Sequence, residues 1–314
     1  MCALELHLVA PIRRPISTNM FGDPYMVVCD RPDAAEVAGL AVMNRYRAET
    51  TFPEHQFGMR RTAHTGAETA RTPGLRLGHG DRSFRLATYN IRKAVGLDWR
   101  RDAARTVQVI NEIEADIVVI QEADRRLGDR PSVLSKALLE AETDFYAAPV
   151  ADNEVSIGWH GNAVLLRRGV QPEMVERITL PSLEPRGAVA VAVSAGGHSI
   201  TVVGVHLALL RRWRRRQLEA IRDHLGETRL GHAIIAGDFN EWSAHKGLEA
   251  LSDDLAVLSP GKTFHASLPR AGLDRIAHGK LIESTAAGVH ESPKALVSSD
   301  HLPIWADLKL RAAP

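Results

Sequence analysis

Cysteine is nearly absent from this chain. Of 314 residues only Cys2 and Cys29 are cysteine, both near the N-terminus. That excludes a disulfide framework and a cysteine-based zinc site, and a reducing cytoplasm is the default compartment. No apolar run approaches the ~20 residues that a membrane-spanning helix requires. Residues 1–19 contain Glu5 and break before Arg13-Arg14, which is not the pattern of a secretory signal peptide. An excess of one charge is lacking too. Lys and Arg number 39 against 38 Asp and Glu, a net of +1, and only seven of the 39 are lysine. From Phe84 to Leu310 the count is 28 basic and 29 acidic residues, a net of −1. Proteins that hold long duplex DNA non-specifically show a basic excess, so the balance argues against that class. With 45% apolar and 25% charged residues, disorder across the whole chain is excluded. There is no internal repeat.

Two regions differ in texture. Over residues 1–83, prolines interrupt most candidate elements, and Arg60 to Asp81 has no apolar period. This segment is read as a poorly ordered extension without a recognised motif, and 84–314 as the folded domain. From Phe84 the pattern becomes regular. Phe84 to Ile91 alternates as a strand does. Asp98 to Glu114 spaces Ala103, Val107, Ile110 and Ile113 as an amphipathic helix. Ile117 to Ile120 and Ala233 to Ala236 are continuous apolar runs, typical of strands buried on both faces. Further strands are predicted at 162–166, 188–194, 199–205, 273–277 and 302–310, and further helices at 132–141 and 214–225. Ala195-Gly196-Gly197-His198 signals a tight hairpin. Strands and helices mix throughout, so the class is α/β with mixed sheet content.

The chemistry sits at strand ends, where ligands of α/β sheets gather. One strand ends in Asn90. Another runs through Gln121 into Glu122, and a third ends in His206. Ala233 to Ala236 leads into Gly237-Asp238-Phe239-Asn240, and on an extended stretch residues two apart point the same way. Asp238 and Asn240 are therefore expected to address one point. Asp274 lies within an apolar strand and needs a partner; His301, in Ser299-Asp300-His301, is the candidate, with Asp274 raising its basicity. This oxygen-rich set suits Mg²⁺ and has no histidine cluster of zinc spacing. A metal, a water-positioning carboxylate and a histidine together fit phosphoryl chemistry.

In this order the segments Thr88-Tyr89-Asn90-Ile91, Gln121-Glu122, Val205-His206-Leu207, Gly237-Asp238-Phe239-Asn240 and Ser299-Asp300-His301 resemble the endonuclease/exonuclease/phosphatase superfamily. Asn90-Ile91-Arg92-Lys93, Gly161-Asn162-Ala163, Pro185-Arg186-Gly187-Ala188 and Leu273-Asp274-Arg275-Ile276 are similar to a bacterial subgroup of metal-dependent hydrolases. The resemblance implies a four-layer sandwich of two mixed β-sheets flanked by helices. It implies Glu122 as principal metal ligand with Asn90 and Asp300 nearby. Asp238 would position the attacking water, and Asn240 would bind phosphate oxygens. His206 and His301 would bracket the phosphate, with Asp274 supporting His301. Asn162 and Arg186 are read as substrate-binding.

The expected activity is a divalent-metal-dependent phosphoester hydrolase using Mg²⁺ or Mn²⁺. A phosphodiesterase on a small or lipid-like diester ranks first, a nuclease second and a phosphomonoesterase third. A non-catalytic phosphate-binding protein is the reading from another class. Leu210 to Arg216 carries five arginines around Trp213. The plain reading is a solvated helix start; the sharper one is a patch for phosphates or anionic lipid. No obligate protein partner is inferred. The expected location is cytoplasmic, with peripheral membrane contact left open.

Overall fold

The computed structural model describes residues 82–125, 128–243, 246–251 and 253–311. The extension read over 1–83 lies outside them except for Arg82 and Ser83. Among the described residues the strands are β1 (Ser83–Asn90), β2 (Ile117–Gln121), β3 (Phe145–Ala147), β4 (Ala163–Arg167), β5 (Pro172–Leu180), β6 (Arg186–Ala195), β7 (His198–His206), β8 (Ala233–Asp238), β9 (Leu255–Leu258), β10 (Asp274–Gly279), β11 (Ile282–Val289) and β12 (Ile304–Leu310). The helices are α1 (Ala103–Ile113), α2 (Lys136–Glu142), α3 (Arg211–Leu230) and the short α4 (Ala295–Ser298).

The strands form two six-stranded sheets, ordered β11-β12-β1-β2-β4-β3 and β5-β6-β7-β8-β10-β9. Each sheet contains one parallel pair, β1 with β2 and β7 with β8. These four strands run in the middle of the sandwich. β2 and β8 are buried along their whole length, which explains their unbroken apolar sequences. The inner faces of the two sheets meet in one core built from Leu86, Val119, Val164, Val191, Val202 and Ile234 among others. On the outer face of the first sheet, Val107 and Ile110 of α1 and Leu139 of α2 pack on Val118 and Ile120. On the outer face of the second, Leu218, Ile221 and Leu225 of α3 pack on Val203, Val205 and Ile235. Each fully buried aliphatic side chain of this kind contributes about 1.5–3 kcal/mol. The result is the expected four-layer sandwich.

Several boundaries differ from the sequence pattern, each for a local reason. α1 starts at Ala103, five residues later than expected. Trp99 has φ 59°, and the Asp102 side chain caps the helix by accepting from the Arg105 amide at 2.9 Å. α2 starts at Lys136, because the Ser135 hydroxyl caps it at Leu138. α3 extends beyond 214–225 at both ends, with a break at Gly226 where φ is 63°. β3, β5, β9 and β11 were not visible in the pattern. β5 and β11 are edge strands with many exposed or half-exposed residues.

The parallel pairs fix the polarity of the molecule. β1, β2, β7 and β8 all finish at the same end. Connections there are long, such as 91–102, 122–135, 148–162, 259–273 and 290–303. At the opposite end 196–197, 231–232 and 280–281 are two-residue turns.

Candidate functional site

His206, Asp238 and Asp274 stand side by side, because β7, β8 and β10 pair in register at these residues. All three are buried. Asn90, at the end of β1 in the other sheet, donates from Nδ2 to Asp238 Oδ2 at 3.0 Å and so ties the sheets together. The same Oδ2 lies 3.5 Å from His206 Nε2 and 3.7 Å from His301 Nε2. Asp238 Oδ1 accepts from the Asn240 amide at 2.8 Å. His301 pairs through Nδ1 with Asp274 Oδ2 at 2.9 Å, leaving Asp274 Oδ1 buried without a hydrogen-bond partner. The Ser299 hydroxyl donates to the Asn90 carbonyl at 2.7 Å and accepts from the His301 amide at 3.2 Å. Six of the expected residues, Asn90, His206, Asp238, Asn240, Asp274 and His301, thus form one connected group.

The two histidines hold opposite proton states. Burial lowers His206 to about 4, despite the nearby Asp238 carboxylate. Burial acts against the charge of His301 as well, but Asp274 and Asp238 outweigh it and raise the group to about 10. At neutral pH one imidazole is neutral and the other charged, and both face the same carboxylate oxygen.

Glu122 follows β2 with φ 56°. Its carboxylate is paired with the Lys93 ammonium. Asp300 Oδ2 lies 3.4 Å from Arg92 Nε. Arg92, Lys93 and Ala94 have φ of 46°, 57° and 57°, a left-handed turn that costs non-glycine residues roughly 1–2 kcal/mol each. The turn is anchored by the Arg92 amide, which donates to Asn90 Oδ1 at 3.1 Å. Lys93 closes the Asn90-Ile91-Arg92-Lys93 motif, and two cations directly after the end of β1 are the sequence signal for its place here.

A cavity of about 260 Å³ is lined by Glu122, Lys93 and Arg186 together with Asp124, Arg130 and His160, and meets the Asp238 group at His206 alone. Arg130 forms a two-point pair with Asp124, both contacts at 3.1 Å, and reaches His160 Nδ1 at 3.1 Å. These three residues gave no recognisable sequence signal, because they lie on irregular connections, Asp124 and Arg130 on 122–135 and His160 on 148–162. Arg186 lies 3.3 Å from Glu184. Asn162 adjoins the cavity through Gly161 but does not line it. Its Nδ2 donates to the Gly187 carbonyl at 2.8 Å, and its Oδ1 is buried without a partner.

Asn240 corrects one expectation. It is not on an extended stretch beside Asp238, since its φ is 52°. The chain turns sharply there, and Asn240 Nδ2 donates to the Leu207 carbonyl at 2.9 Å. Asp238 and Asn240 are joined by a turn hydrogen bond instead of by parallel side chains.

The arginine-rich stretch opens α3 and divides into two sets. Arg211 and Arg214 both pair with the buried Glu241, at 3.0 and 2.8 Å. Burial acts against that carboxylate, yet the arginines and the Ser243 amide hold it below the usual range. Arg212, Arg215 and Arg216 are exposed.

The site end also carries an apolar rim. The exposed large apolar residues among those described are Trp99, Val155, Leu183, Leu209, Trp242, Leu268, Leu296 and Val297. Six lie in connections at this end, and Leu296 and Val297 on the short α4 within the 290–303 connection there. Trp242 packs edge-on against Phe264 at 6.0 Å, and Phe264 tilts against His301 at 5.0 Å.

Three metal-competent side chains, Asp238, Asp274 and His301, bring ligand atoms within 4.8 Å of one another. Two of them, Asp274 and His301, already hydrogen-bond each other. Glu122 and Asp300 offer hard oxygen donors already facing cationic side chains, a chemistry that fits a divalent cation.

Comparison with known proteins bears on this geometry. The model of the Endonuclease/Exonuclease/phosphatase family matches residues 87–301. No curated protein matches the chain. Among solved structures, an endonuclease/exonuclease/phosphatase from Beutenbergia cavernae DSM 12333 is similar with a TM-score of 0.59 and 23% identity, covering 74% of this chain and 73% of that one. A mannosyl-6-phosphatase from Bacteroides thetaiotaomicron VPI-5482 is similar with a TM-score of 0.57 and 18% identity, covering 72% and 99%. D. rerio TDP2 complexed with single-strand DNA product has a TM-score of 0.56 and 16% identity, covering 73% and 100%.

Proposed function

The chain belongs to the endonuclease/exonuclease/phosphatase family, and from that premise we propose that it is a divalent-metal-dependent phosphodiesterase with residues 84–314 as its catalytic domain. Members of the superfamily are metal-dependent phosphoester hydrolases. The observation that carries the reading is the convergence of Asn90, His206 and His301 on one oxygen of Asp238.

Glu122, with Asn90 and Asp300 nearby, would hold the ion, Mg²⁺ or Mn²⁺. When bound, it would supply positive charge against the phosphate. The remaining steps belong to the chain. Asp238 orients the attacking water and accepts its proton; the Asn240 amide and Asn90 fix the carboxylate for that task. His301, kept charged by Asp274, donates from Nε2 to a phosphate oxygen as negative charge develops. His206 stays neutral, so it can donate or accept only one hydrogen bond at Nε2. Asn240 keeps one amide hydrogen on Leu207 and offers the other to phosphate. Arg186 in the cavity grips a phosphate oxygen, and the unpartnered Asn162 Oδ1 serves the same region. The complete set of carboxylates and histidines argues against a binding-only role. The balanced charge of the domain argues against long duplex nucleic acid as the substrate.

The test is hydrolysis of a chromogenic phosphodiester with Mg²⁺ or Mn²⁺. Wild type should turn over, and both Glu122→Ala and chelator should abolish turnover. Full activity in chelator would overturn the reading.

A further inference from the structure

We propose that the site end of the sandwich docks on an anionic lipid surface, and that the substrate is a lipid phosphodiester presented there. The inference rests on the hydrolase reading above for the reaction, and on surface chemistry for the partner.

The first observation is segregation. Single exposed apolar residues are ordinary on any protein. Here six of the eight large ones among the described residues lie on connections at the site end and Leu296 and Val297 on the short α4 within the 290–303 connection there, while α1, α2, α3 and the far-end turns carry none. Leu183 is 70% exposed, Trp99 60% and Leu268 56%. A rim of this kind around a polar centre marks a surface that meets an apolar phase.

The second observation is charge. Arg212, Arg215 and Arg216 occupy the first turns of α3, which begins at the same end. Among the described residues none of them forms an ion pair, and Arg212 and Arg216 lie over the Trp213 ring. The first turn of α3 has no acidic residue and no side-chain cap. Cations at a helix N-terminus are unfavourable, so an external anionic surface would relieve a strain in the local field.

The third observation selects the anion. Six of the eight rim residues are aliphatic, and one face of the Trp99 ring is taken by Arg92 at 4.6 Å. Bases of a nucleic acid stack on free aromatic faces; acyl chains and glycerol backbones need only apolar contact. Aliphatic residues beside free arginines match an anionic bilayer. No helix among the described residues is long and apolar enough to cross a membrane, so the contact is peripheral.

The test is sedimentation of the full chain with phosphatidylcholine vesicles, with and without phosphatidylglycerol. The wild type should bind only the anionic vesicles. Arg212→Gln/Arg215→Gln/Arg216→Gln should weaken binding on the order of a hundredfold. Leu183→Ser/Leu268→Ser should weaken it about tenfold. Both variants should hydrolyse a soluble chromogenic diester at the wild-type rate and lose activity on vesicles of a phosphodiester lipid. Soluble turnover without vesicle binding overturns the inference and leaves the hydrolase reading standing. Vesicle binding without any turnover supports the docking and contradicts the hydrolase reading. Self-association that the leucine variant abolishes, with no vesicle binding, assigns the rim to a second copy and overturns the proposal. Binding of a single-stranded oligonucleotide in place of vesicles overturns it as well.

Discussion

The two ends of the sandwich are built from the same strands, yet they differ in strain. Among the described residues nine non-glycine residues have positive φ, and eight of them, Glu114 being the exception, lie at the end that carries Asp238. At the far end β6 turns into β7 through Gly196-Gly197, with φ of 54° and 80°, where glycine adopts the conformation freely. The strained end also holds most of the buried charge, including Asp238, Asp274 and Glu241. Strain of this kind persists only where the surrounding structure over-determines it. The rigid strands provide that support, and the far end needs nothing beyond economical turns.

Glycine offers the sharpest way to break the comparison. A Cβ on Gly237 would stand 1.9 Å from the Val205 carbonyl oxygen. Gly237→Ala is predicted to cost several kcal/mol, ~4 or more, since backbone atoms cannot yield. Denaturant melts would show it, and a change below ~1 kcal/mol would contradict the packing described.

The histidines provide the next test. His206 has its folded pKa lowered from 6.5 to about 4. Its neutral form is favoured by folding, so this stability is full above pH 6.5 and declines as pH falls toward 4. His301 is raised to about 10, so its contribution is full below pH 6.5 and declines as pH rises toward 10. Stability of the chelated protein should therefore peak near neutral pH. At ~1.4 kcal/mol per unit, the acid limb is worth ~3 kcal/mol. Thermal melts of His206→Asn should lose that limb and keep the alkaline one; an unchanged acid limb would rule out the assignment.

Lys93 sharpens the comparison further. Its ammonium sits on Glu122, where it would compete with the proposed metal ion. Lys93→Met should tighten Mg²⁺ or Mn²⁺ binding about tenfold by calorimetry, ~1.4 kcal/mol. Weaker binding would mean that Lys93 helps to shape the site instead. The smallest effect belongs to the far end. Gly197→Ala should cost about 1 kcal/mol with turnover of a phosphodiester unchanged, and altered turnover would show that the two ends are coupled.

The contrast also explains what could be read from the sequence. β2 and β8 were legible because burial on both faces demands unbroken apolar runs. Asp274 and His301 were legible as a pair because a carboxylate inside an apolar strand needs a partner. β5 and β11 were hidden by their edge positions, where polar residues such as Glu173, Glu176, Arg177 and Thr285 are tolerated. The left-handed turn at Arg92 to Ala94 was hidden for another reason. Its residues do not favour that conformation, so tertiary contacts impose it. Asn240 misled for the same cause: local spacing suggested an extended stretch, while the bond from its amide to Asp238 bends the chain.

The central claim is that Asp238 positions and deprotonates water without being needed for the fold. The most direct test is Asp238→Asn, measured for phosphodiester turnover, melting temperature and metal binding together. The account predicts that turnover falls about 10²–10⁴-fold, the range typical of a lost general base, while metal binding and the melting transition persist. Near wild-type turnover at saturating metal would contradict it.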